Sequence, residues 1–269
     1  MHELPLGKST VYDAPYDPGL LFPIARAPGR EQLGLSMPLP FQGCDIWNAY
    51  ELSWLDPSGK PQIAWAEFRI SADSPNIVES KSFKLYLNSL NQHCFEDVEA
   101  LTSTLRRDLS ACVGAPLEIT VHLPEQWASL QCIEPQGMCL DGLSIQIEHY
   151  APAPELLRLG SDQVTQKVYS RLLRSRCPVT GQPDWATLQI EYTGREIDAA
   201  GLLAYIVSFR LHQDFHEHCV ERIFNDILRY CMPEQLTVFA RYLRRGGLDI
   251  NPYRSTARIR PINLRLAQQ

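Results

Sequence analysis

The stretch Leu117-Glu118-Ile119-Thr120-Val121-His122-Leu123 alternates apolar and polar side chains without a break. That is the period-two signature of a half-buried strand. Just before it, Phe95, Val98, Leu101, Leu105 and Leu109 recur at steps of three and four, an amphipathic helix. A further helical region spans 82–90. Upstream again, 47–55 and 62–70 read as two strands joined by the turn-forming run Asp56-Pro57-Ser58-Gly59. The order is strand, strand, helix, helix, strand.

The second half gives the same order. Residues 164–173 read as a strand, 175–185 as a loop and Thr187-Leu188-Gln189-Ile190-Glu191-Tyr192 as a strand. A helix follows Asp198, a plausible cap. The next helix carries Val220, Ile223, Phe224, Ile227, Leu228 and Cys231 on one face, and 235–243 returns to a strand. Between the halves, 143–147 alternates as one more strand. Short matches accompany the repeat: Ser82-Phe83-Lys84-Leu85 with Ser208-Phe209-Arg210-Leu211, His93-Cys94 with His218-Cys219, and Leu105-Arg106 with Leu228-Arg229. A duplicated α+β module is the expectation, with antiparallel sheets and helices packed on one face. The modules would span 46–150 and 151–269. Residues 1–45 hold seven of the 20 prolines and no helical or alternating pattern, and read as an extended arm. There is no G-x-G-x-x-G and no β-α-β rhythm, which argues against a dinucleotide-binding Rossmann fold.

With 269 residues, 45% hydrophobic and 21% charged, the chain can bury a real core and is neither disordered nor fibrous. Its longest uncharged apolar stretch, 199–209, is far short of the roughly 20 residues a membrane crossing needs. The first residues lack a charged region followed by an apolar run, so a cytoplasmic protein without a secretory signal is expected. The eight cysteines are dispersed and form no C-x-x-C, which favours free thiols. Net charge is −6, but from Arg241 onward there are seven Arg and one acid, so a +6 tail follows a −12 body. The acidic body argues against general nucleic-acid binding. The Arg cluster suits a phosphorylated small ligand as well as it suits RNA.

Four segments can carry chemistry. In Arg174-Ser175-Arg176-Cys177-Pro178-Val179-Thr180-Gly181-Gln182-Pro183-Asp184, nearby cations favour the nucleophilic thiolate of Cys177. Asp184 can serve as proton donor or base. Equally, the loop is an ordinary turn with a cysteine in it. His212-Gln213-Asp214-Phe215-His216-Glu217-His218-Cys219 holds three of the seven His. It reads as a metal site, as a pocket where Glu217 grips a purine-like edge, or as a solvated helix start. Glu79-Ser80-Lys81-Ser82-Phe83-Lys84-Leu85-Tyr86-Leu87-Asn88-Ser89 reads as a helix capped by Ser80 or Ser82. That end offers free N–H groups and Lys81 to an anion. Arg244-Arg245-Gly246-Gly247-Leu248-Asp249-Ile250-Asn251-Pro252 offers an Arg pair and a Gly-Gly turn, either for phosphate oxygens or as a blunted sheet edge.

Together, in this order, the four segments resemble the NADPH-dependent 7-cyano-7-deazaguanine reductases, the nitrile reductases of queuosine biosynthesis, in their long two-module form. The similarity runs from Leu6-Gly7-Lys8-Ser9-Thr10 to Arg254-Ser255. It implies two tandem tunnelling-fold (T-fold) modules and a homodimer. It implies that Cys177 attacks the nitrile as a thioimide-forming nucleophile and that Asp184 donates protons, with a less defined assisting role for His216. It implies that Val78, Glu79, Ser80, Phe215, His216 and Glu217 bind the deazapurine, and that Ser80, Lys81, Arg245 and Gly246 contact NADPH. Two NADPH per turnover, no metal and no membrane or nucleic-acid partner complete the expectation. Two other readings stand beside it: a zinc-dependent cyclohydrolase-like T-fold enzyme using the His212 to Cys219 cluster, and a non-enzymatic purine or RNA binder using the Arg-rich tail.

Overall fold

The computed structural model describes residues 15–269, so the Leu6 to Thr10 motif lies outside the described residues. In chain order the elements are β1 (Pro23–Ala25), α1 (Ala27–Gln32), β2 (Gln42–Leu55), β3 (Pro61–Ser71), β4 (Asn76–Val78), α2 (Ser80–Ser89), α3 (Val98–Val113) and β5 (Leu117–His122). There follow β6 (Cys132–Ile133), β7 (Met138–Cys139), β8 (Leu159–Arg176), β9 (Pro183–Ile197), α4 (Ala199–Ser208), α5 (His216–Cys231), β10 (Gln235–Tyr242), β11 (Leu248–Ser255) and β12 (Arg265–Leu266). The pairs β2–β3 and β8–β9 each precede two helices and a strand, as the repeated sequence pattern requires.

The chain forms two compact units, each discontinuous in sequence. The first takes the described part of Met1–Pro28 with Asp45–Gln131 and Arg244–Asp249. Its hairpin turns where Asp56 Oδ1 accepts from the amides of Ser58 (2.9 Å) and Lys60 (3.1 Å). β5 adds antiparallel to β3, from Trp65 opposite His122 to Ile70 opposite Leu117. Helix α2 buries Phe83 against Trp47 and Phe68, with ring centroids 5.4 and 5.2 Å apart. Side chains of that size stabilise by about 1.5–3 kcal/mol each when fully buried. Asp97 caps α3 through the Ala100 amide (2.8 Å), and Gly114, at φ 73°, ends it.

The second unit takes Gly29–Cys44, Cys132–Leu243 and Ile250–Gln269. Its sheet is built on the long antiparallel hairpin β8–β9, extended by β10 and β11 on one side. The two-residue β7 runs parallel to β8 on the other. Asp198 caps α4 through Gly201 N (2.7 Å), as its sequence position suggests. On α5 the stripe Val220, Ile223, Phe224 and Ile227 is buried, with Phe41 edge-on to Phe224 at 5.4 Å. The one charge inside that stripe, Glu221, is neutralised by Arg30 (2.7 Å) and Arg254 (2.9 Å). Paired and hydrogen-bonded, it avoids the cost of an isolated buried carboxylate.

Four expectations change. The arm is not without regular structure, since β1 pairs antiparallel with β4 and α1 forms a short helix. Three strand residues are too few to show alternation, and Pro28 sits in the first turn of α1, where a missing N–H costs nothing. Residues 143–147 are not a strand but a segment without regular structure, outside the sheets. The 175–185 loop shrinks to 177–182, because β8 and β9 run further than their apolar alternation. Strand β11 is added. Its alternation is confined to Leu248-Asp249-Ile250-Asn251, every residue in it is buried, and Pro252 discourages a strand reading.

Candidate active site

In the second unit the hairpin β8–β9 closes through Cys177. Its amide donates to Gln182 O (2.9 Å), and Gly181 N donates to Cys177 O (3.0 Å). Gly181 takes φ 68°, a left-handed conformation glycine adopts without strain. The register sets Ser175 opposite Asp184 and Arg174 opposite Trp185. The segment leading into α5 is bonded to the end of β8: Arg176 N donates to His212 O (2.8 Å) and Asp214 N to Arg176 O (3.2 Å). Two backbone bonds therefore bring the start of α5, with His216 and Glu217, to the strand end that carries Cys177.

Asp184 is buried, and its Oδ2 lies 3.4 Å from His216 Nε2. His216 stacks on Tyr242, with centroids 3.8 Å apart and planes 7° apart. Glu217 is buried in the first turn of α5, where the positive helix end favours a carboxylate. Cys177 is half-exposed, open to a ligand. By contrast, burial pushes the thiols of Cys112 and Cys231 up to about 11 and that of Cys219 up to about 12. Those three are protonated packing residues. All eight cysteines are free thiols.

The histidine cluster divides. His212 Nε2 (3.6 Å) and His218 Nδ1 (3.3 Å) both turn to Asp214, while His216 turns to Asp184. Among the described residues no group of three or more His, Cys, Asp or Glu is arranged to hold a metal ion. The arginines beside Cys177 also differ from the sequence reading. Strand alternation puts Arg174 and Arg176 on the face opposite Ser175. The Arg174 guanidinium engages the Trp185 ring (5.6 Å) and the Arg210 carbonyl (2.7 Å) rather than the Cys177 thiol.

The first unit holds the other segment. The cap of α2 is Glu79, not Ser80 or Ser82: its carboxylate accepts from Lys81 N (2.9 Å) and Ser82 N (2.6 Å). Ser82 Oγ instead donates to Glu79 O (2.7 Å) and accepts from Phe22 N (3.0 Å). A longer acidic side chain reaches the same orphan amides and adds charge at the positive helix end. Val78, at the end of β4, is buried, and Ser80 opens α2.

Lys81 and Lys84, one turn apart on α2, line a cleft of about 500 Å³ with Glu51, Asn88, Gly246 and Gly247. The Gly-Gly turn has φ 57° and 75°, and Arg245 N donates to Leu248 O (2.8 Å) across it. A Cβ on Gly246 would meet Lys84 Cδ at 3.2 Å, so bare backbone borders the cleft there. Two ammonium groups beside exposed backbone suit the phosphates of a nicotinamide dinucleotide. Sequence reasoning missed Lys84, whose only signal is its spacing of three from Lys81. It also missed Tyr242, which gives no signal until α5 is placed.

Two family models match the chain. One, described as the N-terminal part of nitrile reductase, 7-cyano-7-deazaguanine reductase, matches residues 12–121, and the other, described as QueF-like protein, matches 183–260. The chain is 57% identical to the NADPH-dependent 7-cyano-7-deazaguanine reductase of Bordetella avium, over 100% of this chain and 99% of that protein. The chain belongs to the NADPH-dependent 7-cyano-7-deazaguanine reductase family. Family proteins of the same name from Bordetella pertussis (57%) and Burkholderia lata (56%) each align over 98% of both chains. The archaeosine synthase QueF-Like in the apo form aligns with a TM-score of 0.31 over 36% of this chain at 16% identity. That likeness is too slight to bear on the fold, which rests on the element order. For the reductase family, the Cys177 turn, the Asp184–His216 pair and the lysine cleft are the places where its chemistry can be sought.

Proposed function

We propose that this chain reduces the nitrile of 7-cyano-7-deazaguanine to the primary amine, 7-aminomethyl-7-deazaguanine, consuming two NADPH and two protons, within queuosine biosynthesis. The observation that carries this reading is the meeting of the Cys177 turn with the buried Asp184–His216 pair at the end of β8.

A nitrile carbon is a poor hydride acceptor. The Cys177 thiolate adds to it, forming a C–S bond, while the nitrogen takes a proton from Asp184. The resulting thioimide accepts hydride more readily, so one hard step becomes two easier ones. NADPH, when bound, supplies the two hydrides. Cys177 leaves with its electron pair once the carbon has been reduced to the imine level. Asp184 is positioned to return protons to nitrogen, and His216 holds it oriented. Exclusion of water protects the imine from hydrolysis. Glu217 accepts from the donor edge of the deazapurine, a bidentate pattern that suits a carboxylate, and Phe215 and His216 flank the base. Val78, Glu79 and Ser80 complete the substrate contacts. Because the Glu79 side chain already serves the helix cap, its contribution to the substrate depends on the remaining lone pairs of its carboxylate.

Ser80 and Lys81 at the start of α2, with Arg245 and Gly246 at the Gly-Gly turn, would hold the cofactor. The repeated element order supports an arm (1–45) followed by modules 46–150 and 151–269, and membership of the reductase family supports a cytoplasmic homodimer. Among the described residues no helix is long and apolar enough to cross a membrane.

Intact mass spectrometry tests the covalent step. Adding the nitrile to the wild type gives an adduct with the mass of the nitrile, and Cys177→Ala abolishes both adduct and turnover. An alanine variant that still forms amine would sink the mechanism. NADPH consumed per amine formed should be two.

A further inference from the structure

The structure assigns a phosphate-binding subsite to Arg174, Arg176 and Arg210 around Trp185, on the second unit. Guanidinium carbons of Arg174 and Arg210 lie over the Trp185 ring at 5.6 and 5.4 Å. Arg174 faces Trp185 across the β8–β9 ladder, and Arg176 is the next residue on the same strand face.

Three like charges gather here, and among the described residues none of the three makes an ion pair. The Nε atoms of Arg174 and Arg176 are buried and have no hydrogen-bond partner. Arg30 and Arg254, by contrast, are both matched by Glu221. Burial, with Arg210 and Arg176 nearby, lowers the proton affinity of Arg174, the consequence of cations packed without a counter-ion. A purely structural role accounts for one contact, Arg174 on the Arg210 carbonyl at the end of the turn Phe209–Leu211, where a cation is favoured. It leaves the two Nε donors unspent.

The missing partner is an oxyanion. Guanidinium forks match phosphate oxygens in bidentate fashion, and stacking on Trp185 fixes the Arg174 and Arg210 planes before a ligand arrives. The ligand class is a phosphate or pyrophosphate group, carried by a dinucleotide or free in solution. The subsite borders the Cys177 turn in sequence, with Arg176 just before Cys177 and Trp185 just after Asp184, so an anion there reports on the same hairpin.

Phenylglyoxal modification with peptide mapping tests the wild-type protein directly. Pyrophosphate or NADP+ should slow modification of Arg174, Arg176 and Arg210 at least about fivefold, leaving exposed arginines remote from both this subsite and the Gly-Gly turn unchanged. Protection by NADP+ at tenfold lower concentration than by pyrophosphate identifies the dinucleotide as the source; equal protection identifies free phosphate. Isothermal titration should show pyrophosphate affinity falling about tenfold in both Arg174→Gln and Arg210→Gln, with Arg210→Lys intermediate. Protection spread over all arginines, protection by oligonucleotide alone, or unchanged affinity in both Gln variants overturns the proposal. Adduct formation at Cys177, measured in parallel by mass, reports separately on the reductase reading.

Discussion

The His216 imidazole lies flat against Tyr242, with centroids 3.8 Å apart and planes 7° apart, and this stacking leaves Nε2 at 3.4 Å from Asp184 Oδ2. Tyr242 reaches no reacting atom, so it is a positioning residue. Burial, with the Cys219 thiol, holds its hydroxyl well above the ordinary range, so the ring stays neutral. Stacked aromatic pairs contribute about 0.5–1.5 kcal/mol beyond area burial, so Tyr242→Leu should lower kcat by up to about tenfold. KM for the nitrile should move little, and Tyr242→Phe should restore the rate. A Phe variant as slow as the Leu variant would remove the stack from the account.

Asp214 ties together the segment before α5. Burial alone would raise its carboxyl, but the nearby His212 ring and hydrogen bonds from His218 and the Phe215 amide bring it well below the usual range. Burial alone would lower His218, but Asp214 raises it, with Glu221 and Glu217 adding to the same direction. The signs are opposite. The depressed Asp214 stabilises the fold above its unfolded value of about 3.9 and loses this as pH falls through the folded value. The raised His218 stabilises fully below about 6.5 and loses this as pH rises through its folded value. The difference in melting temperature between wild type and Asp214→Asn should therefore be widest near pH 5–6 and narrower at pH 9. Thermal melts at both pH values check it, and a gap that widens at pH 9 contradicts the pairing.

Glu79 is the cap of α2 as well as a candidate substrate ligand. Glu79→Ala strips two amides of their acceptor and should cost about 0.5–2 kcal/mol of stability. Glu79→Gln keeps an acceptor oxygen and should recover part of it. Urea denaturation measures the loss. Equal stability of Ala and wild type would show that the cap contributes nothing.

Gly246→Ala places a Cβ 3.2 Å from Lys84 Cδ, at a φ of 57° that costs a non-glycine residue about 1 kcal/mol. Lys84 must shift. KM for NADPH should rise about fivefold, the equivalent of that strain. The yield of the nitrile adduct should stay at the wild-type level, because Cys177 is not touched. A fall in adduct yield with unchanged KM would separate the Gly-Gly turn from the cofactor.

Much of this protein is written locally. The hairpin at Asp56, the Asp198 cap, the apolar stripes of α3 and α5 and the repeated element order follow from turn chemistry, capping and periodicity. The motifs around Glu79, Cys177, Glu217 and Arg245 are contiguous, so their family resemblance is legible in the chain alone. What escaped is whatever depends on burial or on residues far apart in sequence. Strand β11 alternates only over Leu248-Asp249-Ile250-Asn251 before Pro252 interrupts the pattern. Residues 143–147 alternate without a partner, and alternation is only half of a strand.

The sequence by itself determined the α+β class, the two repeats, the family and the reactive candidates, because each is encoded within a few residues of chain. Only the tertiary structure decided which neighbours those residues have. It gave the α2 cap to Glu79, turned His212 and His218 to Asp214 and His216 to Asp184, and set Tyr242 beneath that ring. It also turned Arg174 from Cys177 to Trp185. Those choices are settled by strand register and by the cost of burying a charge without its counter-charge, neither of which a local stretch of sequence can express.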